Sequence, residues 1–423
     1  MTDIALNRPA PAGSAPAGPT LAEVETAREV LRTIAEITPM ETSRHLSEIL
    51  GVPVYLKCEN LQRTGSYKIR GAYNRMSRLS TAEKASGVVA ASAGNHAQGV
   101  AFAARELGIR ATIFMPIGVA LPKLQATRHY GAEVVLVGHT LAEPLRAARA
   151  HAAETGAVYI PPFDHADVIV GQGTLGLEVL EKVPDLATVI VPIGGGGLIS
   201  GMASVLKQKA AILGREIRVI GVQSAHAAAY PASLAAGEPT EVEISPTIAD
   251  GIAVSKPGKL NFAIIKDAVD EVVTVDDDDI ARAMLVLLER AKLVVEPAGA
   301  VAVAAILTGC IRASGPTVVM LSGGNIDPLV MERVISHGLA ASKRYLTLRI
   351  PLPDRPGQLA ETSRIVAEQN ANVVEVLHTR HGSGLQISQV ELELQIETRG
   401  PEHAEQVLTA LRAHGYEPRS ISV

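Results

Sequence analysis

Apolar and polar positions fall in blocks along most of the chain. Between residues 54 and 325 a short β-branched run, a Gly or Pro break and an alanine-rich helical stretch recur in that order, the rhythm of parallel α/β sheets. Val88-Val89-Ala90-Ala91 leads into Ser92-Ala93-Gly94-Asn95-His96 and a helix over 97–107; runs at 111–115 and 134–137 follow. Together they predict a smaller subdomain over about 64–163. Later runs at 188–193, 218–222, 272–275 and 317–321 are short and apolar enough to be buried on both faces. Ligands of such sheets bind beyond the carboxyl ends of the strands, which brings the loops after Ala91, Ile193 and Leu321 toward one crevice.

The pattern changes after His337. Residues 345–352 read as a strand, Asp354-Arg355-Pro356-Gly357-Gln358-Leu359 as a loop into a helix ending near Gln369, and 373–377 as a second strand. Residues 387–396 alternate as a third strand, 401–414 form a second helix, and a short fourth strand closes the chain. This βαββαβ order predicts a separate domain over 346–423. The expected organisation is a disordered Ala/Pro-rich tail over 1–20, a large domain over 21–338, a linker over 339–345 and that small domain.

Composition narrows the partners. A core rich in Ala, Val, Leu and Ile, with 47% hydrophobic and 3% aromatic residues, fits an ordinary soluble chain. A net charge of −5 supplies no basic field for nucleic acid or anionic lipid. No apolar stretch approaches the about 20 residues of a membrane helix. Cys58 and Cys310 have neither metal-ligand spacing nor a disulfide framework around them, so a cytoplasmic location is expected. The run Asp276-Asp277-Asp278-Asp279 precedes an apolar-periodic helix, where capping and dipole complementarity explain it better than metal binding.

Candidate chemistry concentrates in two places. Gly194, Gly195, Gly196 and Gly197 end the strand at 189–193 and enter a helical stretch, so bare backbone N–H groups and a helix N-terminus can cradle a phosphate. The loop lacks the Lys-Ser/Thr ending of a nucleotide P-loop and the spaced glycines of a dinucleotide fingerprint. Lys68 sits in Thr64-Gly65-Ser66-Tyr67-Lys68-Ile69-Arg70-Gly71. Most lysines are solvated surface charges, but this one is flanked by core-like Tyr67 and Ile69, which suits an amine whose pKa must fall. A phosphate cradle and a lysine amine together point to pyridoxal 5'-phosphate.

Five segments, in order, resemble the threonine dehydratase family: Ser66-Tyr67-Lys68-Ile69-Arg70-Gly71-Ala72, Ser92-Ala93-Gly94-Asn95-His96-Ala97-Gln98-Gly99, Gly194-Gly195-Gly196-Gly197-Leu198, Glu296-Pro297-Ala298-Gly299-Ala300 and Ser322-Gly323-Gly324-Asn325. The resemblance covers about 21–338 and implies the type II pyridoxal-phosphate fold of the tryptophan synthase β-subunit, with two parallel-sheet subdomains. The segment Asp354-Arg355-Pro356-Gly357-Gln358-Leu359 is similar to the opening of an ACT domain, which matches the branch carrying one regulatory copy. By position, the resemblance makes Lys68 the Schiff-base lysine and residues 194–197 with the Leu198 amide the phosphate loop. Asn95 would bond the cofactor's phenolic oxygen, and Ser322 would face the pyridine nitrogen. Ser92, Asn95 and His96, with backbone amides of the Ser92-Ala93-Gly94-Asn95-His96 segment, would hold the substrate carboxylate. Asn95 is also a good helix cap, and Ser322 is also at home in a strand-to-helix turn.

The expected reaction is β-elimination from L-threonine, and from L-serine, to a 2-oxo acid and ammonia. Lys68 would act as general base and the cofactor phosphate would assist the departing hydroxyl. A neutral Ser322 opposite the pyridine nitrogen favours elimination over transamination, because it does not hold that nitrogen protonated. Serine racemases resemble Ser-Ser-Gly-Asn-His where this chain has Ala93, which cannot reprotonate. Carboxylates of their divalent-ion site are replaced by Gln223 and Ala229, so no metal is expected, although backbone carbonyls suit a monovalent ion. A serine-preferring deaminase, a 3-hydroxyaspartate ammonia-lyase and, in another class, a non-catalytic amino-acid sensor remain open. The ACT-like loop Asp354, Pro356, Gly357, Gln358 and Leu359 would bind an amino-acid effector, isoleucine or valine if the enzyme serves branched-chain synthesis, or act only in dimerisation. A homodimer or homotetramer is expected.

Overall fold

The computed structural model describes residues 4–5, 18–380 and 389–421, and the chain divides into two compact units, Met1–Asp327 and Pro328–Val423. Within the first unit a seven-stranded sheet runs, in spatial order, Ile4–Ala5, Glu271–Val275, Arg218–Ser224, Thr188–Pro192, Thr317–Leu321, Val54–Cys58 and Met40–Thr42. Its interior pairs are parallel and the two edge strands are antiparallel. Every residue of Thr188–Pro192 and Thr317–Leu321 is buried, as expected for strands covered by helices on both faces. A second, four-stranded parallel sheet is ordered Glu133–Leu136, Ala111–Met115, Val88–Ala91 and Val158–Tyr159, with its strands inside 64–163.

Most of the expected tail over 1–20 is not among the residues described. Residues 1–3 and 6–17 lie outside the described residues, but Ile4–Ala5 pair with Val272 and Glu271, because an edge strand offers unpaired backbone groups to any extended segment. Thr20 forms a capping box with Glu23 at the start of helix Leu21–Leu31.

In the second unit, helix Pro328–Ala341 leads toward strand Tyr345–Pro353, so the expected linker at 339–345 contains the end of that helix. Strands order as Asn372–Thr379, Gln389–Glu397, Tyr345–Pro353 and Arg419–Ile421, all antiparallel, with helices Gln358–Glu368 and Pro401–Ala413. Alternate residues of the two central strands pack with Ile365, Val366, Val407 and Leu411 from the helices. The start of the third predicted strand, 387–388, lies outside the described residues.

The acidic run behaves only partly as expected. Asp276 takes the N-cap position of helix Asp277–Val286 without a side-chain capping bond, while Asp277 accepts from Thr247 Oγ1 at 2.6 Å and from the Ile248 amide at 2.9 Å. It fastens a neighbouring loop more than it caps its helix.

Candidate active site

The carboxyl ends of Val88–Ala91, Thr188–Pro192 and Thr317–Leu321 open on one cavity. Lys68, the Ser92-to-His96 segment, residues 194–198 and Ser322 all line it, so the sequence-predicted catalytic, cofactor and substrate residues come together. Those assigned to an effector, Asp354, Pro356, Gly357, Gln358 and Leu359, lie in the other unit at the start of helix Gln358–Glu368. Gly357 has φ +93° there, and Asp354 pairs with Arg380 at 3.4 Å.

Lys68 begins helix Lys68–Ser77. Its Nζ donates to the Pro162 carbonyl at 3.1 Å and lies 5.2 Å from the Tyr67 ring centre; among the described residues no carboxylate bonds to it. Two residues along, Arg70 is fully buried and ties the helix to its surroundings: it donates to both Glu59 oxygens at 2.9 Å and to Glu178 at 2.5 Å. Lys57 completes this cluster, bonding Glu178 at 2.6 Å and the Thr38 carbonyl at 2.9 Å. Burial alone would raise the Glu59 carboxyl, but Arg70 and Lys57 hold it below the usual range.

The glycine loop has no room for side chains. A Cβ on Gly195 would lie 2.3 Å from the Phe163 ring, and one on Gly196, at φ +97°, 2.1 Å from Tyr230 Oη. Tyr230 Oη donates to the Gly195 carbonyl at 3.0 Å, turning that carbonyl away from ligand duty. Among the described residues, the amides of residues 194–198 donate to no protein group. Five unpartnered donors at a helix N-terminus, in a cradle a Cβ would fill, fit a phosphate.

Asn95 does not cap its helix. Gly94 holds the N-cap position of Asn95–Leu107, while Asn95 Nδ2 donates to Glu296 at 2.6 Å and Oδ1 accepts from Asn325 at 2.8 Å. Ser92 Oγ accepts from the Gly94 amide at 3.1 Å. His96, expected to help hold the substrate carboxylate, is buried; its Nε2 donates to the Ile160 carbonyl at 2.8 Å, and burial, assisted by Lys68, pushes its pKa down to about 3. A neutral imidazole with its donor engaged leaves only the His96 backbone amide for a carboxylate. Ser322 is buried and its hydroxyl bonds no protein group among the described residues.

Three lining groups carry charge that the sequence reading left without a role. Lys123 Nζ bonds Asp250 at 3.0 Å and passes 3.8 Å from where a Gly94 Cβ would stand. Glu296 was visible in its Glu-Pro-Ala-Gly-Ala segment only as part of a pattern. Its burial pushes the carboxyl up to about 7, against the pull of Lys123 and of the Asn95 bond.

A lysine amine, an unpartnered amide cradle and a neutral hydroxyl around one cavity define a pyridoxal-phosphate site on a two-subdomain parallel-sheet frame. Residues 31–323 match the family model described as pyridoxal-phosphate dependent enzyme, and residues 347–415 match the ACT domain; the chain belongs to that enzyme family and carries a C-terminal ACT domain. It is 48% identical over 394 residues to the L-threonine ammonia-lyase of Geobacter sulfurreducens, covering 93% of this chain and 97% of that one. Among solved structures, the processed form of threonine deaminase isoform 2 from Solanum lycopersicum superposes with a TM-score of 0.69 at 37% identity, covering 76% of this chain and 95% of that one. Maize serine racemase does so with 0.70 at 34% identity, covering 76% and 98%. Backbone shape therefore does not separate lyase from racemase; the side chains must. Among the described residues no helix is long and apolar enough to cross a membrane.

Proposed function

We propose that the protein is a pyridoxal-phosphate-dependent threonine ammonia-lyase, converting L-threonine to 2-oxobutanoate and ammonia and L-serine to pyruvate and ammonia, under allosteric control through its ACT domain. The observation that carries this reading is the convergence of Lys68, the unpartnered amides of residues 194–198 and the neutral Ser322 on one cavity; the named relatives support it.

Bound pyridoxal phosphate withdraws electrons from the substrate's Cα. Lys68 Nζ would be the attachment point for the cofactor, and its amine would serve as the base for the substrate's Cα proton. Residues 194–198 hold the phosphate through their amides. Asn95 would offer its remaining amide hydrogen to the phenolic oxygen, and the neutral Ser322 hydroxyl would stand opposite the pyridine nitrogen without protonating it. Amides of Asn95 and His96, which among the described residues donate to no protein group, hold the substrate carboxylate at the helix N-terminus. Ala93 in this segment has no proton to return to Cα, which favours elimination over racemisation.

The ACT domain suits an amino-acid effector at Asp354, Pro356, Gly357, Gln358 and Leu359, isoleucine or valine in a biosynthetic setting. A homodimer or homotetramer in the cytoplasm fits this reading, as do two unpaired cysteines. Assays of 2-oxo acid release from threonine, serine and 3-hydroxyaspartate, each with and without isoleucine, test substrate and effector together. Lys68→Ala abolishes both turnover and the visible absorption of the lysine-linked cofactor; persistence of either refutes the reading.

A further inference from the structure

One buried group in the cavity has no part in the reaction as assigned above. Glu296 immediately precedes helix Pro297–Leu307, is 4% exposed, and accepts from Asn95 Nδ2 at 2.6 Å. The direction of that bond is fixed from the far end of the network. The Thr64 carbonyl can only accept, so the Asn325 atom 2.7 Å from it is the amide nitrogen; the same nitrogen reaches Asn95 Oδ1 at 2.8 Å. The Asn95 amino group therefore faces Glu296. One of its hydrogens goes to Oε1 and the other is left for the cavity.

We propose that Glu296 is a positioning residue for the lyase reaction: together with Asn325 it clamps the Asn95 amide so that its second N–H meets the phenolic oxygen of pyridoxal phosphate, and its charge sets the proton affinity of that oxygen. The proposal rests on the reading that Asn95 faces the cofactor. Both ends of the amide are held, which removes the rotamer freedom an exposed asparagine would have. A carboxylate behind the amide repels negative charge on the phenolic oxygen, whereas a neutral carboxyl does not. The groups acting on Glu296 come from three elements: Lys123 on helix Leu121–His129, Asp250 on the short helix Asp250–Ile252, and Lys68. With its carboxyl pushed up to about 7 by burial, Glu296 changes charge across the neutral range.

The test is a pH titration of the visible absorption of the cofactor-loaded enzyme, with kcat and KM for threonine, for wild type, Glu296→Gln and Glu296→Ala. Gln keeps an acceptor for Asn95 without charge, so the spectroscopic midpoint falls by about one pH unit or more and kcat falls about tenfold, with KM within about threefold. Ala also releases the amide, and kcat falls about 100-fold. A Gln variant with the wild-type midpoint and kcat, or a loss confined to KM, overturns the clamp. If Glu296→Gln does not fold, Asn325→Ala releases the amide from its other end; an unchanged spectrum and kcat there overturn the proposal equally. A wild-type enzyme without any visible band refutes the cofactor reading itself, an outcome distinct from a normal band that Glu296→Gln leaves unaltered.

Discussion

Two groups of charges flank Lys68, and they follow opposite rules. Beneath its helix, Lys57, Glu59, Arg70 and Glu178 form a closed set, two cations against two anions, all buried and mutually bonded. Around the cavity, Lys68, Lys123, Asp250 and Glu296 share one lining, but only Lys123 and Asp250 pair. Glu296 holds on to an amide and Lys68 to a carbonyl. The first set fixes the position of Lys68; in the second, Lys68 and Glu296 stand without an ion-pair partner among the described residues, so the amine is not tied to a carboxylate.

The comparison breaks most visibly at Arg70. Arg70→Ala leaves two carboxylates buried with one cation between them, and the expected cost is about 3–5 kcal/mol of stability in urea unfolding. An equally stable Arg70→Ala protein would show that the lower cluster does not hold the helix. Lys68→Ala, two residues away, removes an amine with a single carbonyl acceptor and is expected to change stability by less than about 1.5 kcal/mol.

This contrast also marks how far the sequence could be read. The sheet rhythm, Lys68, the glycine loop and the ACT-like domain were legible because each is a local pattern: a buried run, a bare loop, a lysine between core residues. Arg70 lies only two residues from Lys68, but nothing local distinguishes a buried arginine from a solvated one. Its partner Glu178 lies 108 positions away. Glu296 meets Asn95 across 201 positions, and Lys123 meets Asp250 across 127. The engaged Nε2 of His96 is invisible in its segment for the same reason: the Ile160 carbonyl it meets lies 64 positions away.

Acid and base sharpen the comparison, because the two glutamates shift in opposite directions. Glu59 is held below its ordinary pKa, so the native state binds fewer protons there than the unfolded state. Its stabilisation is present above the unfolded value of about 4.5 and is lost as pH falls below it. Glu296 is raised to about 7, so the native state binds more protons, and stability falls as pH rises from about 4.5 to 7. Glu296→Gln removes that cost and is expected to gain about 1–3 kcal/mol over wild type at pH 8, with the gap closing toward pH 5. Glu59→Gln is expected to lose at both pH values. Urea titrations at the two pH values separate them, and a Glu296→Gln advantage that does not depend on pH would remove the carboxyl as its source.

The smallest effect belongs to the pair at the cavity's open side. The Asp250 side chain is 63% exposed while Lys123 is only 14% exposed, so Asp250→Asn is expected to change stability by less than about 1 kcal/mol. Its consequence is local. Removing the anion leaves Lys123 unneutralised beside Gly94, over the segment proposed to hold the substrate carboxylate, and it withdraws a charge that adds to the rise burial imposes on the Glu296 carboxyl. Substrate is then drawn more strongly, so KM for threonine is expected to fall severalfold at low ionic strength and to return toward the wild-type value as salt screens the uncovered charge. The closed cluster offers no such lever: its charges cancel out of reach of solvent, and added salt leaves them paired. A KM for Asp250→Asn that stays at the wild-type value in low salt would place Lys123 outside the substrate's field and confine its role to tying helix Leu121–His129 to the short helix Asp250–Ile252.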